Sequence, residues 1–145
     1  MHVLLFNRNS HQLFDGYGLI IYETHPPYII YAYWRDDKIA HHIIRYIGGY
    51  GNEVDYNASS GNAIVKYANK KISAFRKYEG GYLNFAYNGY GTLTSWNGTQ
   101  CKGKFSNGNP QGSYSITYQN GTITMGSFND CNQLANDDMI LNDYE

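Results

Sequence analysis

The chain of 145 residues has the length of one domain. Its formal net charge of −1 creates no overall field that would attract polyanions, so we expect nucleic acid not to be a partner. Sixteen tyrosines, six phenylalanines and two tryptophans favour strands, and sixteen glycines with only three prolines favour tight turns over a disordered chain.

The first 77 residues are predicted to contain strands that are unevenly spaced along the chain. Residues 3–6, 28–34 and 41–46 are strand-like, and residues 16–22 join a Gly-x-Gly sequence to an apolar run. Residues 46–50 resemble residues 78–82, but they precede them by 32 positions. We therefore predict that residues 1–77 hold degenerate copies of the unit that follows, with insertions around residues 52–60 and 69–77.

Residues 78–128 repeat themselves at a step of 23 residues. Gly80 aligns with Gly103 and Gly126, and Tyr82 aligns with Phe105 and Phe128. A fixed period of this size is the mark of a repeat protein. Each unit is too short for a β-α-β crossover, and its Asn-Gly pairs are typical of hairpin turns.

Side chains alternate between the two faces of a strand, so counting by twos separates two surfaces in residues 78–128. One surface collects aromatic and apolar residues together with glycines. The other collects threonines, serines and lysines. A periodic glycine beside a periodic aromatic residue predicts that each ring lies on the bare backbone of a neighbouring strand.

This pattern resembles the MORN repeat, in which Tyr-x-Gly-x-aromatic is followed by a turn, Gly-x-Gly and a β run. Residues 78–82 with 89–94 match it, and so do residues 101–108 with Gly112. The chain departs from it at Cys101 and Thr124, where the family favours Tyr. The resemblance implies a structural role in cytoskeletal, ciliary or membrane-junction assemblies.

We predict an all-β fold, namely one elongated, twisted, single-layer antiparallel sheet of successive β-hairpins. The whole chain would be one repeat domain, degenerate over residues 1–77 and regular over 78–128. Residues 129–145 are acidic and would form either a cap, as repeat arrays need, or a frayed tail. We predict no helical layer over the aromatic surface.

An uncovered aromatic surface of this kind usually marks an interaction site. The sequence therefore predicts a non-enzymatic protein-interaction or scaffold module, whose partners are other subunits of an assembly or a second copy of the chain. The predicted partner-binding groove comprises Tyr78, Tyr82, Leu93, Phe105, Tyr114, Ile116, Tyr118 and Phe128.

A local excess of positive charge supports an alternative function. Basic residues with interleaved aromatic residues can attract anionic lipid, and no acidic residue interrupts them between positions 66 and 77. The alternative is peripheral attachment to anionic phospholipids through Lys66, Lys70, Lys71, Arg76 and Lys77.

No motif for chemistry appears, so we expect no catalytic residues, no metal site and no cofactor. The five histidines have no metal-ligand spacing. Cys101 starts a predicted strand and Cys131 follows the last clear repeat, so both are expected to be reduced residues of an intracellular protein. No secretory leader is visible, which also favours a cytoplasmic location. For the same reason the Asn-x-Ser/Thr patterns at Asn57, Asn97 and Asn120 are expected to be unmodified turns.

Overall fold

The computed structural model describes residues 2–4, 7–23, 28–36, 38–47, 51–57 and 59–142. Most of these residues lie in strands, and a helix ends the described chain. The elements are β1 (His2–Leu4), β2 (Asn7–Arg8), β3 (Phe14–Tyr22), β4 (Tyr28–Arg35), β5 (Lys38–Ile47), β6 (Glu53–Asn57), β7 (Asn62–Lys66), β8 (Phe75–Leu83), β9 (Ala86–Ser95), β10 (Gln100–Ser106), β11 (Asn109–Thr117), β12 (Ile123–Gly126) and α1 (Phe128–Asn142).

The chain separates into two compact units, residues 1–63 and residues 64–145, and the division falls within β7. Residues 78–128, which the sequence predicts to be regular repeats, lie wholly in the second unit. The predicted boundary at residue 77 between degenerate and regular repeats lies inside this unit. Each unit therefore contains its own set of strand pairings.

The first unit is an antiparallel arrangement of strands in which sequence neighbours pair. β1 and β2 both pair with β3, and β3, β4, β5 and β6 then pair in chain order. Ile20 and Ala32 are buried, while Tyr17 packs its ring edge-on against Tyr33 at 5.1 Å. The predicted resemblance of residues 46–50 to residues 78–82 rests on residues 48–50, which lie outside the described residues.

The second unit is a run of antiparallel hairpins, β8 through β12, in which every strand pairs with the next one along the chain. The sheet is not closed into a barrel, because β12 pairs only with β11. This architecture confirms the predicted all-β fold of successive antiparallel hairpins.

The turns of the second unit follow the Asn-Gly chemistry of the sequence. Asn107 and Gly108 both have positive φ angles, 49° and 84°, as a type I′ turn requires. Asn84 and Phe85 occupy the equivalent turn between β8 and β9 with φ angles of 50° and 63°. A phenylalanine in this conformation is uncommon, because its Cβ crowds the following carbonyl group.

Helix α1 is the principal departure from the predicted single-layer sheet. It begins after Ser127, whose hydroxyl accepts a hydrogen bond from the Asp130 amide while the Asp130 carboxylate accepts one from the Ser127 amide. The helix packs against β11, and its own residues Cys131 and Ala135 are buried. The prediction that no helix covers the aromatic surface is therefore wrong, because α1 spans Phe128–Asn142. That this end of the chain acts as a cap stays a prediction.

Candidate functional site

The aromatic surface of the second unit, here called the inner face, is built from tyrosines that lie on glycines. A Cβ placed on Gly91 would lie 2.3 Å from Cε2 of Tyr78, and one on Gly103 would lie 2.5 Å from Cδ2 of Tyr114. Real Cβ atoms do not approach other atoms so closely, so only glycine fits beneath either ring. The predicted stacking of rings on glycine backbone is confirmed at both positions.

The hydroxyl groups of the same two tyrosines bond to backbone next to β-bulges. Tyr78 donates to the Gly81 carbonyl at 2.6 Å, where the β8–β9 register shifts, and Tyr114 donates to the Lys104 carbonyl at 2.5 Å, beside the shift at Gly103. A bulge disrupts the regular ladder of hydrogen bonds. The tyrosine hydroxyl supplies a donor at each disruption, so ring and hydroxyl together fix the hairpin.

The rings form one continuous cluster. Tyr78 stacks on Tyr87 with centroids 3.9 Å apart, and both rings meet Phe105 edge-on at 6.0 and 5.2 Å. Phe128, the first residue of α1, contacts Phe105 and Tyr114 at 5.8 and 5.7 Å. Edge-on and offset contacts of this kind are the favourable geometries for aromatic pairs. The cluster therefore joins the sheet to the helix.

Burial also changes the acidity of these phenols. Burial raises the pKa of Tyr78 to about 12, with smaller contributions from Tyr114, Tyr67 and Tyr82. Burial is likewise the main reason that the pKa of Tyr87 is raised, and the adjacent Tyr67 adds to the effect. The hydroxyls of Tyr67 and Tyr87 are hydrogen-bonded to each other. Tyr78 therefore stays protonated at neutral pH and can donate to the Gly81 carbonyl, and in the Tyr67–Tyr87 pair one hydroxyl donates to the other.

These contacts correct the predicted partner-binding groove. Tyr78, Leu93, Phe105, Tyr114 and Ile116 are each no more than 2% exposed, so they belong to the interior of the unit and cannot receive a partner. The reason is that α1 and the packed rings cover the face that the sequence appeared to leave open.

The remaining members of the predicted groove are half-buried. Phe128 belongs to the ring cluster, Tyr82 pairs with Tyr87 across the β8–β9 hairpin, and Tyr118 lies at the turn before β12. The sequence analysis missed Phe75 and Tyr87 as members of the inner face. Phe75 is buried and lies 6.5 Å from Phe128, centroid to centroid.

A disulfide bond between Cys101 and Cys131 corrects the prediction of two reduced cysteines. Cys101 lies on the inner face of β10, and the first turn of α1 brings Cys131 directly over it. Both residues are buried, with 1% and 0% of their surface exposed. The disulfide ties the helix to the sheet across a sequence separation of 30 residues.

The opposite surface, here called the outer face, consists of two rows of side chains that run across the strands. Strand register aligns the members of each row, and neighbouring members are direct cross-strand partners. One row is Glu79, Thr92, Lys102, Ser115 and Met125. The other row is Lys77, Thr94, Gln100, Thr117 and Ile123.

The outer face carries the large exposed apolar side chains of β9 and β12. Tyr90 is 76% exposed, Met125 68% and Ile123 64%. Tyr90 is the cross-strand partner of Lys104, whose ammonium lies 5.9 Å from the centre of its ring. Lys102 is also exposed, and no described residue forms a salt bridge with either lysine. The face therefore combines apolar contact area with positive charge.

The predicted anion-binding cluster is only partly available. Lys66, Lys71 and Arg76 are exposed and Lys70 is half-buried. Lys77 is bonded to Glu79 at 2.6 Å, so its charge is already matched.

The loop between β7 and β8 is closed by an Asx turn. The Asn69 side chain accepts hydrogen bonds from the amides of Lys71 and Ile72. The turn leaves Ile72 38% exposed beside the lysines.

Among the described residues no group of three or more histidine, cysteine, aspartate or glutamate side chains has the arrangement of a metal site. Over the same residues, no helix is long and apolar enough to cross a lipid bilayer. No family model matches the chain, and no curated protein is significantly similar to it.

Proposed function

We propose that the protein is a non-enzymatic interaction or scaffold module that binds another protein of a larger assembly through the outer face of its second unit. The observation that supports this proposal is the exposure of Tyr90, Ile123 and Met125 on one face, beside Lys102 and Lys104, which form no salt bridge with a described residue. Exposed tyrosine and methionine are typical of the centre of protein interfaces. The lysines favour a partner that presents acidic groups.

The resemblance to MORN repeats supports a structural role, with cytoskeletal or ciliary assemblies as the settings that it implies. The interacting surface differs from the one that the sequence suggested, because the inner face is occupied by the molecule's own rings. The expectation of a cytoplasmic location rested in part on reduced cysteines. The disulfide removes that support and favours an oxidising environment.

The test compares exposed residues on the outer face with an exposed residue elsewhere. Tyr90→Ser with Met125→Ser removes apolar area without touching the inner face. Ile72→Ser, in the loop before β8, is the matched control because Ile72 is also exposed. Partners captured from the cells that make the protein are quantified for each variant.

We expect the double variant to lose a partner that the wild type and Ile72→Ser retain. Lys102→Glu with Lys104→Glu is expected to weaken the same interaction, and more strongly at low salt. Equal recovery of every partner by the double variant and the wild type would reject the outer face.

A second candidate function is attachment to anionic phospholipids through the loop between β7 and β8. The exposure of Lys66, Lys71 and Arg76 together with Ile72 favours it, because cationic and apolar groups then face the same solvent. The test is co-sedimentation with vesicles that contain or lack anionic phospholipid, at physiological ionic strength.

Lys70→Glu, Lys71→Glu and Arg76→Glu together should abolish vesicle binding if this loop is the site. Lys102→Glu with Lys104→Glu is the control for a general effect of charge. Absence of binding by the wild type, or equal loss in both variants, would exclude the loop as a lipid site.

A further inference from the structure

The disulfide bond bears on whether the Asn-x-Thr sequences of this chain become glycosylated. Cys101 and Cys131 are joined and buried, and a disulfide of this kind persists in oxidising compartments rather than in the reducing cytosol. Proteins that acquire disulfides in the secretory pathway of eukaryotic cells also meet the machinery for N-glycosylation there. Accessible Asn-x-Thr sequences are its acceptors.

The turn between β11 and β12 presents such a sequence, Asn120-Gly121-Thr122. Asn120 and Thr122 are both exposed, and Gly121 has the positive φ angle of 89° that the turn needs. The side-chain Oδ1 of Asn120 accepts a hydrogen bond from the Thr122 backbone amide at 3.0 Å. This Asx turn occupies the oxygen of the side-chain amide, while no described residue bonds to its nitrogen.

The corresponding turn one unit earlier, Asn97-Gly98-Thr99, is a natural comparison. Thr99 is only 5% exposed and Asn97 is half-buried. The side-chain Oδ1 of Asn97 accepts hydrogen bonds from the Ser95 hydroxyl at 2.5 Å and from the Thr99 backbone amide at 3.0 Å. The same three-residue pattern is therefore packed into the unit at Asn97 and presented to solvent at Asn120.

We propose that Asn120 is an N-glycosylation acceptor and that Asn97 is not. In the reaction, the Asn120 amide nitrogen attacks C1 of the first sugar of a polyprenyl-pyrophosphate-linked oligosaccharide. The nitrogen–C1 bond forms as the bond from C1 to the pyrophosphate oxygen breaks. The amide loses one proton to a base of the transferase, and the polyprenyl pyrophosphate leaves with the bonding electrons.

A glycan at Asn120 would leave free the part of the proposed partner-binding surface around Tyr90 and Lys104, whereas Ile123 directly follows the glycosylated turn. The turns at Asn97 and Asn120 lie at one end of the strands, and the turns at Asn84 and Asn107 lie at the other. A saccharide attached to the turn extends from the end of the sheet and does not cover Lys102 or Tyr90. This inference does not rest on the proposed function, and either can fail alone.

The experiment produces the full chain through the secretory pathway of a eukaryotic cell, as wild type, Asn120→Gln, Thr122→Ala and Asn97→Gln. Free thiols are alkylated before unfolding, and glycans are mapped by mass spectrometry with and without peptide N-glycosidase. We expect a glycan at Asn120 in the wild type and in Asn97→Gln, its complete loss in the other two variants, and no free thiol.

Two results would overturn the proposal. One is an unmodified Asn120 in the secreted, disulfide-bonded wild type. The other is a glycan at Asn97, with or without one at Asn120. Because Asn120→Gln and Thr122→Ala change exposed turn residues, circular dichroism of both proteins should show the wild-type strand content, which separates a missing acceptor from a misfolded chain.

Discussion

The two faces of the second unit differ although the same strands supply both. On the inner face Tyr78 and Tyr114 lie on glycines, donate to bulge carbonyls and are completely buried. On the outer face Tyr90 is 76% exposed, with a lysine near its ring. Tyrosine is thus a structural residue on one face and a candidate binding residue on the other. What covers a face, rather than its composition, decides which role applies.

The largest loss of stability is expected when the disulfide that ties α1 to the sheet is removed. Cys101→Ala with Cys131→Ala opens a covalent link across 30 residues, and chain-entropy arguments assign such a link about 3.5 kcal/mol of the free energy of unfolding. The measurement is urea unfolding of the variant against the oxidised wild type. A variant as stable as the wild type would show that the disulfide does not hold α1 on the sheet.

The second largest loss of stability is expected when a side chain is added to a glycine that lies beneath a tyrosine ring. Gly91→Ala places a Cβ against the buried Tyr78 ring and should lower the free energy of unfolding by about 3 kcal/mol. Gly112→Ala is the matched control, because its Cβ meets no atom within 4 Å and only its φ of 67° is unfavourable, at a cost of about 1 kcal/mol. Equal losses in the two variants would mean that the ring does not require the glycine.

The third largest loss of stability is expected when a tyrosine hydroxyl that donates to a backbone carbonyl at a β-bulge is removed. Tyr114→Phe keeps the ring but leaves the Lys104 carbonyl without this donor, which should lower the free energy of unfolding by about 2 kcal/mol. Tyr90→Phe removes a hydroxyl from the outer face and should change it by less than about 0.5 kcal/mol. Chemical denaturation of both variants gives the comparison, and a smaller loss for Tyr114→Phe than for Tyr90→Phe would contradict it.

Alkaline pH should also distinguish the two faces. The folded state raises the pKa of Tyr78 from 10.0 to about 12, so its neutral form is favoured by folding. The resulting stabilisation is complete below pH 10 and is lost as the pH rises from 10 through 12, where only the unfolded chain ionises readily. Urea midpoints between pH 8 and pH 12 measure this fall. Tyr78→Phe should show a shallower fall, and an unchanged slope in that variant would contradict the assignment.

The smallest effect on stability is expected on the outer face itself. Tyr90→Ser replaces a side chain that is 76% exposed, so the free energy of unfolding should change by no more than about 0.5 kcal/mol. Thermal unfolding is sufficient to measure it. A loss comparable with that of Gly91→Ala would show that Tyr90 supports the fold and is a poor candidate for binding.

The 23-residue period of the sequence and the alternation of side chains along each strand predicted much of this fold. The 23-residue step located the hairpins, and parity predicted that tyrosines share a face with glycines. Tyr87 has the parity of Gly89 and Leu93, so the signal for it was present. Phe75 could not be found by counting, because the register shifts between Phe75 and Lys77 and reverses the alternation.

Burial could not be predicted in the same way, because it depends on an element outside the repeat. Helix α1 follows β12 and has no counterpart in the 23-residue pattern. It brings Phe128 and Cys131 onto the inner face, and no spacing in the sequence indicates that Cys131 lies over Cys101. For this reason the sequence did not indicate that most residues of the predicted groove are buried.

Chemical nitration of tyrosines in the folded protein, followed by peptide mapping, tests the difference between the faces most directly. Tyr90 should react rapidly, while Tyr78 and Tyr114, each 0% exposed, should stay unmodified until the protein is unfolded in denaturant. Reaction of Tyr78 and Tyr114 at the rate of Tyr90 in the folded protein would contradict a sealed inner face.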